Sequence, residues 1–317
     1  MSQSRQLGAS GISTPPVILG GNVFGWTADR DTSFAVLDAF VAGGGRMIDT
    51  ADIYSRWVPG HTGGESESVI GAWLAARGRR DDVVIATKVG GEMHGSKGLR
   101  PERIAAQVDG SLRRLGTDYI DLYFAHWDDP DTPLEATLEA FDTLVTAGKV
   151  RAIGASNHDA ARLAQALDIS AARGLASYTV LQPHYNLVER AIFEGPLQDL
   201  CVARAVAAVP YFSLASGFLT GKYRRAGDEA GKARAGAVAK DLNDRGLAVL
   251  AAVEAVAAEA GATPAQVALA WLAAQPAVAA PIASATSVAQ VEDLLGAMRL
   301  TLTPAQLATL DAASRAV

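Results

Sequence analysis

Four polar residues of this chain, Asp49, Tyr54, Lys88 and His126, are of the types needed to supply and steer a proton. A phenol is a weak acid with an ordinary pKa of about 10, and a nearby ammonium stabilises its phenolate. Lys88 can do this for Tyr54. A buried ammonium needs a carboxylate, and Asp49 can provide it. A neutral His126 can donate a hydrogen bond to a substrate oxygen that gains negative charge. Together they make a general acid, its tuner, the tuner's counter-ion and an oxyanion donor, the set that carbonyl reduction requires. Singly, each has a plainer reading. Asp49 could be a strand-end cap, Lys88 a structural ion pair, Tyr54 a packed aromatic and His126, beside Trp127, a core histidine. The case rests on their joint placement.

That placement depends on the elements carrying them. Each residue lies at or just after the C-terminal end of a short apolar run: Met47-Ile48, Val83–Thr87 and Ile120–Ala125. Polar groups at successive strand ends converge if the strands close into a barrel. Strand patterns occur at Val17–Leu19, Met47–Asp49, Asp82–Lys88, Ile120–His126, Val150–Ser156, Thr179–Gln182, Ala207–Tyr211 and Val278–Ala283. Helical patterns separate them. Asp31 is expected to cap the first, which carries Phe34, Leu37 and Val41 and stops at Gly43–Gly45. Others cover Glu65–Arg77, a stretch opened by Pro101, Pro133–Ala147, Asp159–Arg173, Pro196–Ala205, and about 243–260 and 264–274. Two more start at Ser287 and at Thr303-Pro304. The unalternating Val-Val-Ile run before Lys88 suits a parallel strand buried on both faces.

The expected fold class is therefore α/β, a (β/α)8 TIM barrel with its active site at the C-terminal face, a short N-terminal hairpin around Leu7–Gly11 and two extra helices. One domain spans 1–317. The long step before the last strand contains Lys222–Arg245, polar and rich in Gly, Lys and Arg, a candidate mobile loop. A doubly wound sheet is the rival, but Gly20-Gly21-Asn22-Val23-Phe24-Gly25 runs into Trp-Thr-Ala and is not a dinucleotide fingerprint.

Composition narrows the function. The 317 residues carry a net charge of -6, with no basic excess to neutralise phosphates, so nucleic acid is an unexpected partner. The single Cys201 excludes an intrachain disulfide framework and a Cys-rich metal site. No uninterrupted apolar run reaches membrane-spanning length, and Met1–Gly8 lacks the apolar core of a signal peptide. A cytoplasmic protein without membrane or metal is expected.

The sequence also resembles the aldo-keto reductases, most nearly the bacterial members related to potassium-channel β subunits. The resemblance is carried by Ile48–Tyr54 (Ile-Asp-Thr-Ala-Asp-Ile-Tyr), Ile85–Lys88, Asp121–Trp127, Ile153–Asn157, Leu181–Asn186 and Leu214–Tyr223, in family order. It implies NADP(H) extended across the barrel face and direct hydride transfer to an aldehyde or ketone. It implies Tyr54 as the acid, with Asp49, Lys88 and His126 as partners. By the same resemblance Ser156, Asn157 and Gln182 hold the nicotinamide amide, Tyr211 stacks on its ring, and Gly20 and Gly21 admit the cofactor closely. Asp49 also borders it. Ser213, Leu214, Ser216, Gly217, Leu219 and Lys222 match the pyrophosphate region. Ile282, Ser284, Thr286, Gln290 and Asp293 match the adenosine end.

One departure bears on the cofactor. Many relatives have Gly and then a basic residue where this chain has Ser284 and Thr286, and that cation contacts the 2′-phosphate of NADP. NADPH is still expected, with NADH possible. The substrate, a small carbonyl or alcohol, is expected against Phe24, Trp26, Tyr54, Trp57, Met93, His126 and Trp127. Aromatic walls with few charges suit a neutral carbonyl such as a sugar-like or cyclic ketone. Two other classes remain open: a cofactor-binding regulatory subunit, and a barrel lyase or isomerase. The sequence leaves oligomeric state undetermined.

Overall fold

The computed structural model describes residues 4–93, 95–225 and 227–315; Met1–Gln3 of the N-terminal stretch lie outside it. Strands β1 (Arg5–Gln6) and β2 (Ser13–Thr14) form an antiparallel hairpin. Eight parallel strands follow: β3 (Ile18–Gly20), β4 (Met47–Asp49), β5 (Val84–Val89), β6 (Ile120–Ala125), β7 (Val150–Ser156), β8 (Tyr178–Gln182), β9 (Ala207–Ala208) and β10 (Ile282–Ala283). Their order is β10-β3-β4-β5-β6-β7-β8-β9. A parallel bridge from Ala208 to Val278 and the Ile282 N–H bond to Pro210 O (2.9 Å) join β9 to the last strand segment, closing the ring. This is the expected (β/α)8 barrel.

The helices are α1 (Arg30–Ala42), α2 (Glu65–Arg77), α3 (Pro101–Leu115), α4 (Leu134–Thr146), α5 (Ala160–Arg173) and α6 (Pro196–Ala203). Then come α7 (Ala235–Ala239), α8 (Asp244–Ala260), α9 (Pro264–Ala273), α10 (Val288–Ala297) and α11 (Pro304–Ser314). No single helix among the described residues is long and apolar enough to cross a membrane.

Several boundaries differ from expectation. Asp29, not Asp31, caps α1, because its carboxylate accepts from Thr32 N–H at 2.9 Å. The last two barrel strands are shorter than their apolar runs, since Pro210 and Pro281 lack the N–H that a ladder needs. Helix α6 stops at Ala203 because Ala205 takes a left-handed φ of 53°. Within the Lys222–Arg245 stretch, read as loop, lie the short helix α7 and the start of α8 at Asp244.

Strand parity decides which side chains reach the site. In β4, β5 and β6 the residues Met47, Val84, Ala86, Leu122 and Phe124 point into the barrel, together with Leu7 of the hairpin, which plugs the floor. Ile48, Ile85, Tyr123 and Ala125 face the helices instead. Side chains alternate along a strand. Asp49, Lys88 and His126 therefore inherit the inward parity of Met47, Ala86 and Phe124. The same count brings Ser156 inward after Ala152, and Gln182 after Val180. Gly154 has no side chain because a Cβ there would lie 2.5 Å from the Phe124 ring.

Candidate active site

The four polar residues meet at the top of the barrel. Lys88 Nζ donates to Asp49 Oδ2 at 2.7 Å, to the Thr50 carbonyl at 2.8 Å and to the Tyr54 hydroxyl at 2.9 Å. All three ammonium protons are thus used, as a fully buried Lys requires. The Tyr54 hydroxyl also lies 3.4 Å from Asp49 Oδ2. Tyr54 is aimed back at Lys88 by Ser55, which turns the chain at φ 73° and anchors its hydroxyl on the Phe24 carbonyl (3.0 Å).

Charge follows burial. Burial and the Asp49 carboxylate push the Tyr54 phenol well above its usual range, so the net effect is not the lowering expected from Lys88. Tyr54 holds its proton firmly at neutral pH. Burial pulls the Lys88 ammonium down, with Asp49 opposing. Burial and Lys88 hold His126 well below the ordinary imidazole range, so it is neutral. Its Nδ1 is sealed without a partner, which leaves Nε2 as the nitrogen toward the cavity that His126 lines. Trp127 stacks on its ring at 3.8 Å.

A second layer fixes the first. Gln182 Nε2 donates to Asp49 Oδ1 at 2.9 Å. Asn157 Nδ2 donates to the His126 carbonyl (2.9 Å) and to Ser156 Oγ (3.1 Å), and its Oδ1 accepts from the Tyr211 hydroxyl (2.7 Å). Asn157 adopts φ 55°, and Phe212 and Ser216, also in the wall of the same cavity, are left-handed as well.

That cavity has a volume of about 720 Å³. It runs from Asp49, Tyr54, Trp57, His126 and Trp127 past Ser156, Asn157, Gln182 and Tyr211 to Ser284, Thr286, Gln290 and Asp293 at the start of α10. Such an elongated, polar-ended groove at the strand C-termini matches the position of a barrel enzyme's active site. The profile of the Aldo/keto reductase family matches residues 16–315.

The chain belongs to the aldo/keto reductase family.

Individual relatives agree. The chain is 35% identical over 309 residues to "Uncharacterized oxidoreductase YrpG" of Bacillus subtilis (strain 168), covering 93% of this chain and 91% of that protein. It is 32% identical to "Protein tas" of Escherichia coli (strain K12), covering 98% and 97%. It is 31% identical to a "Probable voltage-gated potassium channel subunit beta" of Oryza sativa subsp. japonica, covering 93% and 91%. Membership supports oxidoreductase chemistry at a carbonyl with a nicotinamide cofactor.

Within this aldo/keto reductase, most residues singled out in the sequence line the cavity. They include Gly20, Ser213, Leu214, Ser216, Gly217, Lys222 and Ile282. Some do not. Phe24 and Leu219 are fully buried in the core, and Met93 packs with Ala51 and Ile53. Gly21 lies behind the wall, its N–H held by the Asp49 carbonyl at 2.7 Å. Trp26 stands edge-on behind Trp57 with ring centroids 5.4 Å apart. Several polar groups are already engaged: Ser284 Oγ donates to Asn22 Oδ1 (2.6 Å), and Asp293 accepts from Thr263 (2.7 Å) and Gln266 (2.9 Å). Gln290 accepts from the Thr286 N–H (2.8 Å).

The sequence reading missed Asn22, Lys232 and Arg234, all in the cavity wall. Arg234 lies 5.8 Å from the Trp26 ring centroid and 3.5 Å from Asn22 Oδ1. Neither it nor Lys222 or Lys232 forms an ion pair among the described residues. Burial and the other two cations pull the Lys222 ammonium down. The available signal was the basic composition of Lys222–Arg245, which had suggested mobility.

Proposed function

We propose that this chain reduces an aldehyde or ketone to an alcohol, reversibly, using NADPH, with Tyr54 as the proton donor. The observation that carries the reading is the Tyr54 hydroxyl bonded to Lys88 and set beside Asp49 and a neutral His126 at the cavity wall. A phenol held above its ordinary pKa is a proton reservoir at neutral pH. Lys88 then favours the phenolate that forms as the proton leaves, so its ammonium acts on the transition state rather than on the resting acid. His126 Nε2 donates to the substrate oxygen and orients it.

The dinucleotide fits the groove by its chemistry. The unpaired cations Lys222, Lys232 and Arg234 suit its phosphates, and Gly217, at φ 98° with a virtual Cβ 3.0 Å from Lys222 Nζ, gives backbone room beside them. Ser156, Asn157 and Gln182 would hold the carboxamide, with Tyr211 against the ring. Bound there, the reduced nicotinamide supplies hydride to the carbonyl carbon. NADPH is the cofactor the family resemblance favours; NADH would also be usable, since Ser284, Thr286 and Gln290 offer only neutral groups at the adenosine end. The substrate would meet Trp57, Trp127 and Ile53, with Arg234 the nearest added charge. Oxidation of NADPH and NADH against a panel of aldehydes, ketones and sugars tests cofactor, turnover and substrate class; absence of turnover with every carbonyl would count against the reading.

The rice relative's name favours a second reading, a cofactor-binding regulatory subunit. Tight NADPH binding without turnover would support it. Failure to bind either nicotinamide cofactor would instead revive a lyase or isomerase.

A further inference from the structure

Behind Lys88, outside the barrel, lies a buried charged cluster that the proposed reaction does not use. Outward parity brings Thr87 of β5 and Tyr123 of β6 toward α2 and α3. Glu67 of α2 is fully buried and accepts from Thr87 Oγ1 at 2.6 Å and from Arg114 Nε of α3 at 2.7 Å. Gly71 lets the two helices seal this region, because a Cβ there would come within 2.1 Å of the Arg114 carbonyl. Arg103 of α3 bonds the Gly91 carbonyl.

Asp52 is fully buried in this cluster, and neither carboxyl oxygen has a partner. Its backbone N–H bonds the Lys88 carbonyl (3.3 Å), and it sits two residues beyond the Thr50 carbonyl that Lys88 Nζ holds. The contrast with Glu67 is informative. Glu67 has an arginine and a hydroxyl as partners; Asp52 has neither, and an unpartnered buried carboxylate is strongly disfavoured.

We propose that Asp52 is held as the neutral acid behind Lys88, and that loss of its proton to solvent at alkaline pH adds a further carboxylate, beside Asp49 and Glu67, that keeps Lys88 charged. The inference rests on the reductase reading for its kinetic consequence only. The groups around Asp52 act in both directions. Burial, first, and Glu67 push its carboxyl up to about 8, while Arg114, Arg103 and the Ile53 backbone N–H pull it down. Asp52 and Glu67 both favour the Lys88 ammonium alongside Asp49. The Tyr123 phenol, also unpartnered, is held well above its ordinary range by burial, Asp52 and Glu67 and stays neutral.

The test is an infrared pH titration of the whole protein. Near neutral pH ordinary carboxyls are ionised, so a protonated-acid carbonyl stretch marks the exception. The expected result is a band that fades around pH 8, is missing in Asp52→Asn, and fades at higher pH in Lys88→Met, where the neighbouring cation is gone. In carbonyl reduction, Asp52→Asn should match wild type near neutrality and lose its alkaline limb about one pH unit earlier, a shift typical of one nearby charge. A wild-type protein without the band overturns the proposal, as does an unchanged midpoint in Lys88→Met or an unmoved alkaline limb. If Asp52→Asn fails to fold, the wild-type and Lys88→Met titrations decide. If no carbonyl is reduced, the reductase reading fails while the infrared arms still judge Asp52.

Discussion

Gln182 and Lys88 hold opposite oxygens of one carboxylate: Gln182 Nε2 bonds Asp49 Oδ1 at 2.9 Å, and Lys88 Nζ bonds Asp49 Oδ2 at 2.7 Å. Gln182 thus bears on the proposed proton-handling group as much as on the proposed cofactor wall. Gln182→Leu should leave a buried carboxylate oxygen unsatisfied, a loss on the order of 1.5–3 kcal/mol for a bond to a charged group. Denaturant unfolding measures it. Asp49→Asn should cost more, about 3–5 kcal/mol, because the Lys88 ammonium is then buried without its counter-charge. Equal, small losses in both variants would argue against Asp49 as the counter-charge of Lys88.

Tyr54→Phe removes the proposed acid and little volume. Carbonyl reduction should fall at least about 100-fold, within the range of general acid catalysis, while cofactor binding measured by fluorescence stays near wild type. Near-normal turnover would sink the assignment.

Stability should respond to acid through histidine. His126, His158 and His184 are each depressed below the ordinary imidazole value, burial being the largest cause. Below about pH 6.5 the unfolded chain takes up protons that the folded one refuses. The stability these neutral rings contribute is therefore complete above that pH and is lost as pH falls toward their folded values. Melting temperatures between pH 7 and 5 should decline, and His158→Gln should flatten part of that decline.

Arg234 should matter to the cofactor. Arg234→Ala removes a half-buried, unpaired guanidinium from the cavity wall. A charge-assisted bond to phosphate of about 1.5–3 kcal/mol predicts NADPH binding weaker by roughly 10-fold to over 100-fold. Arg234→Lys should recover part of it. Unchanged affinity would assign the residue to the substrate side or to the loop alone.

How much of this was legible in the chain varied with physical range. Glu65–Arg77 and the start at Pro101 were readable to the residue, because glycine C-caps and a first-turn proline act locally. The end of β9 and the start of β10 were not, since the apolar runs continue through Pro210 and Pro281, which lack the N–H of a ladder. Asp29 outcompeted Asp31 as a cap for a reason only the backbone dihedrals reveal.

By itself the sequence determined the strand–helix alternation, the strand-end polar residues and their inward parity, because these depend on near neighbours along the chain. Tertiary structure alone decided what those residues touch. Closure of the ring brought Gln182 to Asp49 across 133 positions of sequence. It sent Phe24 and Leu219 into the core, where apolar burial outweighs exposure at the cavity. It also folded a polar loop inward so that Lys232 and Arg234 line the groove. The same closure reversed the expected shift of Tyr54, because desolvation depends on everything packed around a group and on no single neighbour.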